Sequence, residues 1–208
     1  MLKGAEAAKA ERFRFSSREE ALGFFRQIHD LIGTLKTPDS PTDRVRAFCK
    51  KLSDGKAVYL ECQPEPWSRQ SCCDSNVEEY VRLHGGASVF GYRIWFNSPR
   101  YIESESHAVW SDGQTLRDVS FVDTGEKRTL FVPVHSSFSG AFDDVPKKIR
   151  HAFDKRDARL VATFNRVEAS VPSRMMSREE AWATMPSYED WKAGKRMPNM
   201  IPTFAQGA

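Results

Sequence analysis

Residues 101–123 read YIESESHAVWSDGQTLRDVSFVD, with Asp112-Gly113 between two runs that are typical of β-strands. An Asp-Gly pair in this position is a strong signal for a two-residue hairpin turn. In such a hairpin the numbers of facing residues have a constant sum, which predicts that His107 faces Asp118. Their Cβ atoms would then lie about 4.5 to 5.5 Å apart on one side of the sheet. The sequence therefore predicts that the Asp118 carboxylate orients the His107 imidazole.

The hairpin is predicted to belong to an antiparallel sheet that packs on one helix. Strands are expected at residues 57–62, 88–96, 101–110, 115–123 and 128–134. Ser71 and Asp74 form a capping-box pattern, which predicts a helix over residues 72–84 that ends at Gly85-Gly86. Several strands joined by short turns after a single helix favour an α+β fold. In this fold the helix carries a cysteine at its N-terminus, and extra helices precede and follow the sheet.

The chain is predicted to contain a helical N-terminal cap (1–55), a core (56–134) and a C-terminal extension that packs on the core (135–208). In the cap, helical spacing of apolar residues predicts one helix after Ser17 and a second that begins at Pro41 or Thr42. In the extension we expect a helix over 145–153, a strand over 160–167, and a helix from Ser177. The tail from residue 197 either wraps the surface or is disordered.

The composition of the chain limits the classes of function that we expect. The 31 Lys and Arg residues are interspersed with 28 Asp and Glu residues, for a formal charge of +3, which speaks against a nucleic-acid partner. No stretch reaches the roughly 18 apolar residues of a membrane helix, and the N-terminus lacks the apolar region of a signal peptide. We therefore expect a cytoplasmic protein without membrane contact, with export as an effector left open. The four cysteines are expected to be free thiols rather than disulfides.

Cys73 is the candidate nucleophile. It lies in the first turn of the predicted helix, where unpaired backbone amides and the helix dipole favour a thiolate. It shares a helix face with Val77 and Tyr80, so it is predicted to point towards the sheet that carries His107. Cys72 is rotated by about 100° around the helix and ranks second. A cysteine, a histidine and an aspartate are the parts that nucleophilic cysteine catalysis requires, although each residue alone is more often structural.

The same residues carry a family resemblance. His107-Ala108-Val109-Trp110, followed after a turn by Leu116-Arg117-Asp118-Val119-Ser120, resembles the transglutaminase-like core, which belongs to the wider papain-like fold. A helix that opens with Cys73 and closes at Gly85-Gly86 also resembles this core. These segments and Gly91-Tyr92-Arg93-Ile94-Trp95 are similar to a group of uncharacterised bacterial and viral proteins. The resemblance covers about residues 72–133, under a third of the chain.

The resemblance implies a role for each residue of a triad. Cys73 would be the nucleophile, His107 the general base and then the general acid, and Asp118 the residue that fixes the histidine tautomer. The implied reaction is acyl transfer from an amide, isopeptide, ester or thioester substrate, such as a peptide or a small amide, through a thioacyl enzyme. Hydrolysis is favoured over transfer because water needs no second substrate site. No cofactor is implied.

An oxyanion hole would use the backbone amide of Cys73 and one side-chain donor from the preceding loop. Gln70, Gln63 and Trp67 are the candidates. The papain pattern has a glutamine six positions before its cysteine, and this chain has Trp67 there, so the donor stays open. Asn76, one turn into the helix, either orients the loop or touches substrate, and a structural amide bound to backbone is the preferred interpretation.

Two other functions remain open at this point. A metal site would draw on Cys62, Cys72, Cys73 and His107, but zinc sites favour closely spaced ligand pairs and the chain has no Cys-x-x-Cys motif or spaced histidine pair. A non-catalytic interaction module would use the helix and hairpin only for packing. Its contacts to an acidic partner or nucleic acid would come from the N-terminal arginines Arg12, Arg14, Arg18 and Arg26.

Overall fold

The computed structural model describes residues 13–134, 147–171 and 176–197. Within these ranges the protein is an α+β structure with six helices and six strands. The helices are α1 (Arg18–Ile32), α2 (Asp43–Leu52), α3 (Cys73–His84), α4 (Lys155–Ser170), α5 (Arg178–Thr184) and α6 (Tyr188–Lys192). The strands are β1 (Val58–Glu61), β2 (Ala87–Asn97), β3 (Tyr101–Ser111), β4 (Leu116–Arg117), β5 (Arg128–Pro133) and β6 (Lys148–Ala152).

The strands form a sheet in the order β1-β5-β2-β3-β4, and β6 also pairs with β3. β1 and β2 run antiparallel to β5, and β4 runs antiparallel to β3. The predicted α+β class with an antiparallel sheet is therefore confirmed. The strands β2 and β3 are each 11 residues long, and both carry buried side chains, among them Arg93 and His107.

Helix α3 packs on this sheet through the apolar face that the sequence predicts. Val77 and Tyr80 form a buried cluster with Ala108 of β3 and Val119, and Cys73 packs against that cluster. The spacing of three and four residues along α3 puts these side chains on one side of the helix. The helix thus presents its first residue to the part of the sheet where β3 and β4 meet.

The described residues fall into two compact units. One contains α1, α4 and residues Phe96–Ile102, and the other contains α2, α3, α5, α6 and most of the sheet. In the first unit Leu31, Tyr101 and Val161 form the core. Arg100 donates two hydrogen bonds of 2.8 Å to the Asp157 carboxylate there. The second unit carries all of the candidate site residues.

Three predicted helix starts are confirmed by their caps. The hydroxyl of Ser17 accepts a hydrogen bond from Glu20 N, that of Thr42 from Val45 N, and that of Ser177 from Glu180 N. Each cap satisfies a backbone donor that the first helical turn leaves unpaired. The sequence rule for helix starts therefore works at all three positions.

Three other predictions are wrong. The predicted helix over 145–153 is a strand where it is described, β6, because a short segment has no decisive period and pairing with β3 determines its state. The predicted strand over 160–167 lies inside α4, which starts earlier at its Asp154 cap. The predicted strand over 115–123 forms a ladder only at β4. The predicted tail beyond residue 197 and Arg12 lie outside the described residues.

Candidate functional site

His107 and Asp118 meet in the interior of the second unit. His107 Nε2 lies 3.0 Å from Asp118 Oδ2, and the two residues are only 3% and 0% exposed. The ring of His107 also packs edge-on against Phe131, with 6.2 Å between centroids. The imidazole is therefore held from two sides, by a carboxylate and by an aromatic ring.

The hairpin that brings them together differs from the predicted one. Trp110 faces Arg117, and Ser111 faces Leu116, so the predicted register is wrong by two residues. The cause is Asp112, whose Oδ1 accepts hydrogen bonds from the backbone amides of residues 114 and 115 at 2.8 and 2.7 Å. This side-chain turn lengthens the loop. Because the shift is even, the side chains keep their predicted faces.

Arg93 is a site residue that sequence reasoning missed. From β2, its Nη2 donates a hydrogen bond of 2.8 Å to Asp118 Oδ2 and lies 2.9 Å from His107 Nε2. Arg93 is only 6% exposed. The available signal was a single arginine within the apolar run Gly91–Phe96, since a buried arginine needs a buried acidic partner.

Two further polar groups contact the Asp118 carboxylate. Asp118 Oδ1 accepts a hydrogen bond of 3.0 Å from Ser120 N, and Thr129 Oγ1 lies 3.4 Å from Oδ2. Burial raises the pKa of Asp118, but the charges of His107 and Arg93 outweigh burial and hold that pKa well below its usual value. Asp118 is therefore an anion, and the ring nitrogen that faces it must carry a proton.

His107 itself is shifted towards its charged form. Burial and the charge of Arg93 lower its pKa, but the charges of Asp118 and Cys73 and the hydrogen bond to Asp118 outweigh them and raise it from 6.5 to about 9. Burial also lowers the pKa of Arg93, whereas Asp118, Cys62 and Cys73 raise it. The sulfur of Cys73 is thus within electrostatic reach of both His107 and Arg93.

Cys73 is the first residue of α3 and is half-buried. Cys72 occupies the N-cap position without a side-chain hydrogen bond, so the predicted capping box of Ser71 and Asp74 is wrong. Ser71 has a φ of 58°, in the left-handed region, and it turns the chain into the helix. The backbone amides at the start of α3 therefore have no side-chain cap from the N-cap residue.

Cys49, Cys62 and Cys72 are in settings that favour the neutral thiol. Burial raises the pKa of Cys72 to about 11 and that of Cys49 to about 11. Burial, reinforced by the charge of Asp118, raises the pKa of Cys62 to about 12. These three side chains stay protonated at neutral pH, so they are poor nucleophiles.

The loop before Cys73 runs alongside the chain that carries Asp118. Cys62 forms a parallel bridge with Asp118, and Gln63 N donates a hydrogen bond of 2.8 Å to Asp118 O. Further along, Ser68 Oγ donates a hydrogen bond of 2.7 Å to Val119 O. These contacts fix the approach of the loop to the buried pair.

Asn76 holds the same loop from the helix side. Its Oδ1 accepts a hydrogen bond of 2.6 Å from Arg69 N, and its Nδ2 donates to Arg69 O at 2.9 Å and to Ser120 Oγ at 3.2 Å. Asn76 is 0% exposed. It therefore orients the loop by binding backbone, as preferred from the sequence.

The three oxyanion candidates lie in different settings. Gln70 is 6% exposed, and its Oε1 is buried without a hydrogen-bond partner among the described residues. Trp67 is half-buried and packs against the cluster that Cys73 also contacts. Gln63 is exposed. Gln70 and Trp67 are thus in the packed part of the loop, and Gln63 is not.

The C-terminal segment also holds this loop. Gln70 N donates a hydrogen bond of 3.0 Å to Pro186 O, and Tyr188 N donates one of 2.8 Å to Ser68 O. The ring of Trp182 lies 6.2 Å from that of Trp67. Residues of α5, α6 and the turn between them therefore contribute to the shape of the loop that precedes Cys73.

Within the described parts of the chain, no group of three or more His, Cys, Asp or Glu side chains is arranged to hold a metal ion. No helix in those same parts is long and apolar enough to cross a membrane. No known protein family, curated protein or solved structure matches the chain. Interpretation of the site therefore depends on its own geometry.

Replacing Asn76 with alanine is expected to lower the free energy of unfolding by about 1 to 3 kcal/mol. The change removes the side chain that pairs the backbone N–H and C=O of Arg69, and unpaired buried polar groups cost about this much. Urea unfolding at pH 7 measures the difference. Gln114→Ala, at an exposed position of the β3–β4 turn where the glutamine side chain makes no hydrogen bond to the described residues, is the control and is expected to change stability by less than about 0.5 kcal/mol. Equal effects of the two substitutions would contradict the role of Asn76.

Proposed function

We propose that this protein is a cysteine-dependent acyl-transfer enzyme, more a hydrolase than a transferase, built on a transglutaminase-like or papain-like core. The observation that supports this most is the buried pair of His107 and Asp118 within electrostatic reach of a half-buried cysteine that opens a helix. An anion at that position is favoured by the unpaired amides of the first turn. A buried imidazole with a raised pKa within electrostatic reach of that position is an unusual arrangement for a purely structural residue.

In the proposed mechanism each ring nitrogen of His107 has its own partner. Nε2–H donates to Asp118, which leaves Nδ1 to exchange a proton with the sulfur of Cys73. The thiolate attacks the carbonyl carbon, an S–C bond forms, and the carbonyl oxygen becomes an oxyanion. When the bond to the leaving group breaks, Nδ1–H protonates that group and a thioacyl enzyme remains.

Deacylation reverses these roles with water. Neutral His107 takes a proton from water at Nδ1 as the water oxygen attacks the thioacyl carbon. Collapse of this second tetrahedral intermediate breaks the S–C bond, releases the acid, and restores the thiolate and the imidazolium. The triad chemistry is the same whether the acyl group is that of a peptide or that of a small amide.

Gln70 is our choice for the side-chain donor of the oxyanion hole, together with Cys73 N. Its side chain is buried three residues before the nucleophile. Its Oε1 has no hydrogen-bond partner among the described residues, so the fold does not fix the orientation of the amide and Nε2 can turn to donate to the oxyanion. Gln63 is exposed, and the Trp67 ring packs against the apolar cluster of α3. A polar side chain held in a packed setting is suited to meet an oxyanion.

The test of the proposed function is covalent trapping. Purified protein is treated at pH 7 with iodoacetamide and with a panel of acyl thioester probes, and adducts are counted by intact mass. We expect a single adduct that forms at least about tenfold faster than on a free thiol, because a thiolate is the reactive form. Cys73→Ala should abolish it, and the matched neighbour variant Cys72→Ala should retain it.

Two results would contradict the proposal. One is an adduct that persists in Cys73→Ala. The other is a rate for Cys73 no higher than that of a free thiol, which would leave the helix and hairpin as packing elements of an interaction module.

A further inference from the structure

Arg93 is a buried cation that contacts both His107 and Asp118. Its guanidinium is held in the sheet interior, with Nη2 at 2.8 Å from Asp118 Oδ2 and 2.9 Å from His107 Nε2. Its Nε is buried and has no hydrogen-bond partner among the described residues. A buried arginine with an unsatisfied donor is a costly element for a fold to retain.

We propose that Arg93 is a positioning residue that locks the Asp118 carboxylate in place and makes protonated His107 a stronger acid. This inference rests on the proposed function, because it assigns Arg93 to the proton transfers of the same triad. Arg93 does not touch the reacting atoms in this proposal. It acts through His107 and Asp118.

The hydrogen-bond geometry supports the positioning role. Arginine has donors only, so Arg93 Nη2 and His107 Nε2–H both direct protons at the same oxygen, Asp118 Oδ2. With Ser120 N on the other oxygen, the carboxylate cannot rotate without losing a charged partner. The tautomer with the proton on Nε2 is thereby kept, and Nδ1 is left as the ring nitrogen that exchanges a proton in the proposed mechanism.

The charges near the imidazole support the second part of the proposal, that Arg93 makes protonated His107 a stronger acid. The groups that act on His107 are Arg93 from β2, Asp118 after β4, and Cys73 from α3, and burial adds to the effect of Arg93. Cys62 acts on Arg93 and is itself influenced by Asp118. Only Arg93 among these charges lowers the pKa of His107. Without it, Asp118 and a Cys73 thiolate would hold the proton too tightly for transfer to a leaving group.

Arg93 therefore favours both halves of the reaction. A more acidic imidazolium gives its proton to the leaving group more readily during acylation. A lower pKa also leaves more neutral imidazole to accept a proton from water during deacylation.

The experiment follows the titration of His107 in folded protein. Histidine-labelled protein has five histidines, and loss of one NMR signal in His107→Gln assigns the resonance. In Arg93→Gln the midpoint is expected to rise by about one pH unit or more, because a nearby cation is lost. Arg93→Lys keeps a buried cation, and its shorter side chain moves the charge away from the ring, so a rise of about half a unit is expected.

The pH profile of Cys73 alkylation by iodoacetamide gives a second readout in the same variants. The midpoint of its alkaline limb is expected to rise in both variants, and to rise further in Arg93→Gln than in Arg93→Lys. Arg93→Lys is the variant that keeps the test decisive if Arg93→Gln does not fold. Midpoints within 0.2 unit of the native value in every folded variant would reduce Arg93 to a structural ion-pair partner.

The two proposals fail in different ways. If native Cys73 reacts no faster than a free thiol, the proposed function is lost whatever Arg93 does. If Cys73 is activated and the His107 midpoint is the same with and without the guanidinium, only the role of Arg93 is lost.

Discussion

His107→Gln is expected to slow thioacylation of Cys73 by about 10³-fold at pH 7. Positioned general acid–base groups contribute roughly 10² to 10⁴ in rate, and here one imidazole serves both the attack and the departure of the leaving group. Glutamine is chosen because its amide N–H can still donate to Asp118, so the contact of Asp118 with Arg93 is left in place. The measurement is the rate of adduct formation with an acyl thioester probe, followed by intact mass.

His84→Gln is the matched control for this variant. His84 is the last residue of α3 and is exposed, and its ring packs 4.3 Å from that of Tyr80. Its replacement is expected to leave the rate within about twofold of the native rate. The triad assignment would be wrong if the two variants reacted at similar rates, or if His107→Gln retained the native rate while still folded.

The meeting of His107 and Asp118 was predictable from sequence, but the register that led to it was not. The Asp-Gly rule assumes that the turn is closed by backbone hydrogen bonds alone, whereas the Asp112 carboxylate also binds the amides of residues 114 and 115. The resulting shift of two residues preserved the face of every side chain. Asp118 reaches His107 as a diagonal neighbour from just beyond β4.

Arg93 illustrates what a linear pattern does not reveal. A hairpin rule relates residues across one turn, and Arg93 lies on the strand on the other side of β3, so no local spacing connects it to Asp118. The same limit explains why the strand β6 was not predicted. A five-residue segment such as β6 has no reliable period, and its state is decided by pairing with a strand far away in sequence. For α4, by contrast, the Asp154 cap was a usable local signal.

Asp118→Ala is expected to lower the free energy of unfolding by about 3 to 5 kcal/mol. The substitution leaves the Arg93 guanidinium buried without a counter-ion, and breaking a buried pair from one side carries a cost of this size. Asp157→Ala is the matched control. Asp157 is also buried, at 2% exposed, but the side chain of its partner Arg100 is 41% exposed. That cation therefore reaches water, and a loss of about 1 to 2 kcal/mol is expected. Urea unfolding at pH 6 gives both values.

The pH dependence of the same variant separates the contribution of His107 from that of Arg93. The folded-state pKa of Asp118 is lowered, so its stabilisation is present above the unfolded value of about 3.9 and is lost on acidification. The pKa of His107 is raised from 6.5 to about 9, so its stabilisation is complete below 6.5 and is lost as the pH rises through 9. The destabilisation by Asp118→Ala should therefore be smaller at pH 9.5 than at pH 6, because the pairing with charged His107 is gone and only that with Arg93 remains. An equal loss at both pH values would show that His107 is not charged in the native protein, and the proton it needs for the leaving group would have no source.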